Sequence, residues 1–467
     1  MKGQIIKKKY YRITFQAKSP LAVGSGENES SDRDLIRDSF GIPYLPASAI
    51  AGVTRDLLRD FVENLPDYYG EVIKAGESDA DEGSDKGRER GNTPRAAESR
   101  LIFYDGTIAA RNVRDIHVSV RDSVCLDDYK TAKTGAKFDM EVLEPGITFL
   151  AYIEQNFIEE DDPDLGAIIS DLFLKGRVVF GAKGTRGYGG IENASVSFRE
   201  FSFEGTETGG DGLDEWLSFD MYDDEEWHEG VARPYTARDE EACAEGNKGR
   251  ALHKLTLSLK QDGGISIRRY TTEAGDNESI DPQPDFEQLT VNISRKDPVP
   301  TIPGTSWAGA IRHRMRELGM GQKEEKFLFG FVEQKSDRKA RSKIRFSETM
   351  LTGASPKILS RNSIDRFTGG TKEGALFTEK TWYGGTTDLV ISYEEGCMSR
   401  KDGRQTLGHI LAAAITDLHC GLLAIGGETS IGRGLFRIEK INNKDVGDST
   451  DIYKELVMTI EGEGVVS

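Results

Sequence analysis

The chain has 467 residues, enough for two or three domains, and its 37% hydrophobic content suits a globular protein rich in loops. No apolar run approaches the ~18 residues of a membrane span, and the opening Met1-Lys2-Gly3-Gln4-Ile5-Ile6-Lys7-Lys8-Lys9 has no apolar stretch long enough for a signal peptide. Net charge is −18, but residues 200–245 hold 16 Asp/Glu against only Arg233 and Arg238, so the acidity is local and does not exclude a basic groove elsewhere.

The predicted elements occur twice in the same order. A strand over residues 11–17 opens the first copy, and one over 252–259 opens the second. Each is followed by a polar loop and one phrase: Pro43-Tyr44-Leu45-Pro46-Ala47-Ser48-Ala49-Ile50-Ala51-Gly52, then Pro300-Thr301-Ile302-Pro303-Gly304-Thr305-Ser306-Trp307-Ala308-Gly309. Both prolines and the last glycine keep an offset of 257 residues, far beyond a solenoid period, so the phrase marks a duplicated domain. A helix follows each phrase, through Ile50, Val53, Leu57, Leu58 and Phe61, and through Trp307, Ile311, Met315 and Leu318, with Gly319 as a stop.

Loops are expected over residues 75–98 and 272–288. Further strands match at 99–105 and 342–348. Arg121-Asp122-Ser123 then answers Arg361-Asn362-Ser363, and Phe138-Asp139-Met140-Glu141 answers Phe377-Thr378-Glu379. Helices near 164–175 and 406–420 precede turns containing Gly184-Thr185-Arg186-Gly187-Tyr188-Gly189-Gly190 and Ser430-Ile431-Gly432-Arg433-Gly434. Strands alternating with two helices per copy suit an α+β, ferredoxin-like split βαβ unit. The domain boundaries expected are 1–203, an acidic linker 204–250, and 251–467. The linker reads as solvated chain with a few anchoring aromatics, or as a short docking element through residues such as Trp216 and Trp227.

Three features are candidates for chemistry. The glycine turns allow close approach of backbone N–H groups to phosphate, with Arg186 and Arg433 among them; a tight turn alone is the plainer reading. No Gly-Lys-Ser/Thr accompanies them, which argues against a nucleotide-triphosphate loop. In the repeated phrase, Ser48 and Thr305 are expected to cap helices whose N-termini favour an anion. Gly52 and Gly309 lie inside those helices, where glycine is unfavourable, and close approach of another backbone would explain them. Third, Asp32-Arg33-Asp34-Leu35-Ile36-Arg37-Asp38 could hold a divalent metal, or be a charged loop paired within itself. Cys125, Cys243, Cys397 and Cys420 form no CxxC pair and read as free thiols of a reducing cytoplasm. The six histidines form no catalytic motif, and His313 and His409 are expected on helix surfaces.

The combination carries a resemblance. Ile36 to Gly52 reads Ile-Arg-Asp-x-x-Gly-x-Pro-x-x-Pro-x-Ser-x-x-x-Gly. It is followed by Ser-Arg-Leu-Ile-Phe-x-Asp, Gly-x-x-Phe-x-x-Glu-x-x-x-Pro-Gly and a terminal Gly-x-Gly. This pattern resembles the RAMP (repeat-associated mysterious protein) superfamily, and more narrowly the backbone subunits of type III CRISPR effector complexes, over residues 10–200 and 252–440. The tandem form is similar to the fused double backbone subunits of some type III variants. The resemblance implies two tandem RNA-recognition-motif-like domains with inserted loops and β-hairpin thumbs, stacked along a CRISPR RNA. The thumbs would fall near residues 124–141 and 364–379.

RNA contacts are then expected from Ser48, Arg55, Lys130, Lys133, Lys137, Arg186, Gly187 and Gly189 in the first copy. Thr305, Ser306, Arg312, Arg366, Lys372, Gly432, Arg433 and Gly434 are expected to supply them in the second. In this family a loop Asp, six residues before the acidic residue preceding the Gly-x-Pro-x-x-Pro phrase, supports metal-dependent cleavage of target RNA. Counting back from Asp38 gives Asp32 as catalytic residue and metal ligand, with Asp34 as the fallback and Mg²⁺ as the metal. In the second copy Asp297 stands for Asp38, and Val291 occupies the slot; Asp281 or Asp285 would have to reach it from the loop. That copy is expected to bind RNA and to cleave weakly or not at all. The implied partners are CRISPR RNA, target RNA and other type III subunits, in the cytoplasm and without a membrane. The alternatives are a scaffold without catalysis, a CRISPR RNA-processing nuclease, which commonly relies on a histidine, or a ferredoxin-like metabolic enzyme.

Overall fold

Residues 4–26, 34–59, 62, 65–73, 95–109, 116–126, 132–203, 210–228, 231–234, 252–269, 284–291, 298–333, 338–403, 405–447 and 451–462 are described by the structure, a computed structural model. The first copy runs β1 (Lys7–Ala17), α1 (Ala47–Leu58), β2 (Leu101–Phe103), β3 (Val118–Leu126), β4 (Ala132–Leu143), β5 (Thr148–Phe157), α2 (Leu165–Leu174) and β6 (Ile191–Ser202). Next come α3 (Gly210–Ser218) and β7 (Arg233–Pro234). The second copy runs β8 (Leu252–Asp262), α4 (Gly304–Glu317), β9 (Ile344–Phe346), β10 (Ser355–Ile364), β11 (Thr371–Tyr383), β12 (Thr386–Glu394), α5 (Leu407–His419), β13 (Leu435–Ile441) and α6 (Ile452–Glu461).

The first sheet has the order β7-β6-β1-β5-β2, and the second β9-β12-β8-β13 with the short strand Lys444–Asp445 at its edge. Without β7 and that edge strand, both sheets place the fourth, first, third and second strands of a βαββαβ unit side by side, all antiparallel. This is the ferredoxin-like arrangement expected. Alternation along β1 builds it: Tyr11, Ile13, Phe15 and Ala17 are buried beneath α1 and α2, while Arg12, Thr14 and Gln16 point to the other face. Phe15 packs against Phe149, Phe173 and Phe180, with ring centroids 5.2–5.6 Å away. In the second copy Leu255, Leu257 and Leu259 do the same work against Trp307, Ile311 and Leu411.

Between the second and third strands of each unit a hairpin is inserted, β3–β4 in one copy and β10–β11 in the other. The second runs over residues 355–383, longer than the stretch expected from sequence. Its turn is fixed by Asp365, which accepts from the N–H groups of Phe367 and Thr368, each at 2.9 Å.

The acidic segment is not solvated chain where it is described. Trp216, Phe219, Met221 and Trp227 pack with Tyr10, Tyr152 and Phe201 on the outer face of the first sheet. The docking-element reading is therefore the one the fold realises, because rings on both sides give the segment an apolar surface to bury.

Candidate nucleic-acid interface

Helices α1 and α4 begin in the same way. The N-caps are Pro46 and Pro303, with φ −58° and −59°, and neither makes a side-chain capping bond. Ser48 and Thr305 thus sit inside the first turn, and the expected capping role is corrected. The Ala47 N–H donates instead to the Asp105 carboxylate at 2.7 Å, so the first helix end already holds an anion.

Along α1, Ser48, Gly52 and Arg55 are exposed and share one face, since positions 4 and 7 residues apart in a helix return to nearly the same direction. Arg55 also lies 5.9 Å from the Tyr69 ring centroid. Thr305, Gly309 and Arg312 stand at the same offset on α4, where Gly309 is exposed and Thr305 and Arg312 are half-buried. A Cβ at Gly52 or at Gly309 would meet nothing within 4 Å, so no backbone among the described residues explains either glycine. Arg312 is drawn partly aside, its Nε donating to Glu325 at 2.7 Å. Ser306 is half-buried beside Thr305.

The glycine turns are alike in backbone. A Cβ at Gly189 would lie 1.9 Å from the Phe180 carbonyl oxygen, and one at Gly434 would lie 1.9 Å from that of Ile425. This register matches Gly187 with Gly432, Tyr188 with Arg433, and Arg186 with Ile431. The two arginines are therefore not counterparts. Arg186 is exposed. Arg433 is buried; it donates to Glu379 at 2.5 Å and to the Tyr383 hydroxyl, while Arg361 also reaches Glu379. Burial and then the neighbouring Glu379 raise the pKa of Glu428 beside this network.

The first copy's turn packs against the second copy. A Cβ at Gly187, whose φ is +88°, would lie 2.5 Å from the Glu348 backbone nitrogen. One at Gly304 would lie 2.3 Å from the Arg186 carbonyl oxygen. Beneath this contact Arg121 bridges the copies, with Nη1 to Glu348 at 2.6 Å and Nη2 to Glu144 at 2.7 Å. Burial alone would lower the Arg121 pKa, and Glu348 and Glu144 overcome it. Burial pushes the Glu348 carboxyl up to about 7 against the pull of Arg121. These residues were not identified as a bridge from sequence. The signal was Arg121 itself, a repeated arginine at a hairpin base whose counterpart Arg361 is also held by a carboxylate.

On the second hairpin Arg366 and Lys372 are exposed, and Phe367 at its tip is 100% exposed. On the first hairpin Lys130 and the side chains of Lys133 and Lys137 lie outside the described residues.

Asp32 also lies outside them. Asp34 is buried in a short strand paired with Gly26. Its neighbours are tied to β4: Glu141 accepts from the Leu35 N–H at 3.0 Å and from Arg37 at 3.1 Å. Asp38 closes a turn, accepting from the Phe40 and Ile42 N–H groups at 2.9 and 2.8 Å. Among the described residues no group of three or more His, Cys, Asp or Glu could hold a metal ion. In the second copy Val291 is buried, Asp281 and Asp297 lie outside the described residues, and Asp285 is engaged with the Thr378 N–H at 2.7 Å. Among the described residues no helix is long and apolar enough to cross a membrane.

A family model for the RAMP superfamily matches residues 14–192 and 227–437, one match on each copy. No curated protein matches the chain.

Proposed function

The chain belongs to the RAMP superfamily, whose members are CRISPR-associated RNA-binding proteins, and from that premise we propose that it is a tandem backbone subunit of a type III CRISPR effector complex. In this reading it binds CRISPR RNA along both copies. The observation that carries it is the duplicated stripe Ser48–Gly52–Arg55 and Thr305–Gly309–Arg312. A glycine inside an exposed helix costs about 1 kcal/mol relative to alanine. Here it occurs twice with open space over it. A sugar-phosphate backbone lying on the stripe would use that space, with Arg55 holding a phosphate. The hairpins β3–β4 and β10–β11 stand at equivalent places in the two units, which suits a part that meets the RNA at a regular interval.

Cleavage of target RNA is assigned to the first copy, with Asp32 as its carboxylate and Mg²⁺ as its cofactor; the support is the sequence spacing before Asp38. The second copy binds without cutting, since Val291 holds the corresponding position. This reading places the protein in the cytoplasm with CRISPR RNA, target RNA and other type III subunits as partners. Its test is the assembled complex with guide, target and Mg²⁺, comparing the parent chain with Asp32→Ala. Loss of the cut opposite the first copy, with target binding kept, is the expected result. Unchanged cutting would remove Asp32 from the chemistry and leave a scaffold.

A further inference from the structure

The outer face of the first sheet interleaves cations and rings around the buried Glu154 of β5, which accepts from Lys8 at 2.5 Å and from the Tyr104 hydroxyl at 2.8 Å. On β1, Lys8, Tyr10 and Arg12 point outward; Tyr10 lies opposite Arg199 of β6, Arg12 opposite Tyr152 of β5, and Lys8 opposite Phe201. Rings that stack bases, set among cations that hold phosphates, are the usual means by which such a sheet grips single-stranded nucleic acid.

This face is covered by residues 210–228 and 231–234, which carry eight Asp/Glu and one Arg. The cover reproduces both halves of a nucleotide's contacts. Its rings lie on the rings of the sheet: Phe219 is 4.9 Å from Tyr10 and 5.1 Å from Phe201, and Trp227 is 5.8 Å from Tyr152. Lys8 lies 4.8 Å from the Trp216 ring centroid, and Trp216 Nε1 donates to the Tyr10 hydroxyl at 2.9 Å. Its carboxylates lie where phosphates would: Asp224 accepts from Arg12, and Glu226 from Arg199. A segment needed only to complete a core would supply the rings and leave the arginines to water. The second copy is the comparison. Its outer face on β8 carries Lys254, Thr256, Ser258 and Lys260, without a ring.

We propose that the outer face of the first sheet is a second binding site, for single-stranded RNA, and that residues 210–228 are an internal mimic of that RNA which occupies it. The site is separate from the helix stripe and does not depend on it.

The test uses the full chain and a labelled oligouridylate of about eight nucleotides, followed by fluorescence anisotropy. Replacing residues 210–230 with a Gly/Ser linker is expected to tighten binding about tenfold and to steepen its salt dependence. Adding Tyr152→Ala to that variant abolishes the gain. The milder pair Asp224→Asn with Glu226→Gln keeps the aromatic packing and gives a smaller gain, about threefold. A linker variant with native circular dichroism that binds no more tightly than the parent would overturn the proposal, as would a gain that survives Tyr152→Ala. Should the linker variant not fold, the milder pair decides alone, and an unchanged affinity for the oligonucleotide overturns it.

Discussion

Glu348→Gln tests the bridge between the copies through its pH dependence. Glu348 is fully enclosed, shares Arg121 with Glu144, and has its carboxyl pushed up by burial from an ordinary 4.5 to about 7. Between those two pH values the folded chain binds a proton there that the unfolded chain has released. Stability therefore falls as pH rises through this window and levels off above about 7. The difference in pKa corresponds to about 3 kcal/mol. Glutamine keeps the volume and an acceptor for Arg121 and removes the titration, leaving Arg121 and Glu144 as a neutral pair. Urea denaturation of both chains at steps from pH 4.5 to 8 isolates the term, because every other titrating group is common to the two. The stability of the parent relative to the variant should drop by about 3 kcal/mol over that range. Two parallel curves would show that Glu348 stays ionised throughout, and the argument from its enclosure would be refuted.

The other predictions concern the repeated features. Gly187→Ala places a methyl against the Glu348 backbone at a φ of +88°, so it should cost more than 2 kcal/mol and expose the contact between the copies to proteolysis; Gly432→Ala, at a φ of +81° with open space, should cost about 1 kcal/mol. Equal losses in the two variants would mean that Gly187 does not hold that contact. Asp105→Ala removes the acceptor of the Ala47 N–H and should destabilise the first copy by about 1 kcal/mol in urea. Gly52→Ala and Gly309→Ala should each raise stability by about 0.5–1 kcal/mol while weakening RNA binding, which calorimetry and filter binding read separately. A variant that gains stability and keeps full affinity would free that glycine from an RNA role.

Much of the fold was legible because duplication writes each element twice. The Pro-x-x-Pro phrase located both first helices, and period-two alternation located β1 and β8. The caps were misjudged because proline at the N-cap position moves the helix start forward, to Ala47 and Gly304, so that an N–H finds Asp105, a partner 58 residues away. The register of each glycine turn is set by which glycine touches the preceding chain, here Gly189 and Gly434, so Arg186 and Arg433 fall at different places in the two turns. The acidic segment hid its structure because its charge matches solvated chain, while its rings find partners such as Tyr10 and Tyr152 on strands distant in the chain. The bridge through Arg121 and Glu348 spans 227 residues and no local pattern announces it.

The central claim is that both copies lay the same helix face along one RNA. Photocrosslinking of a thiouridine-labelled CRISPR RNA to the assembled complex, followed by mass spectrometry of the attached peptides, tests it most directly. The account predicts attachment within residues 47–59 and within residues 304–317, spaced along the RNA in the order of the copies. Attachment to neither helix, with the RNA bound, would contradict it.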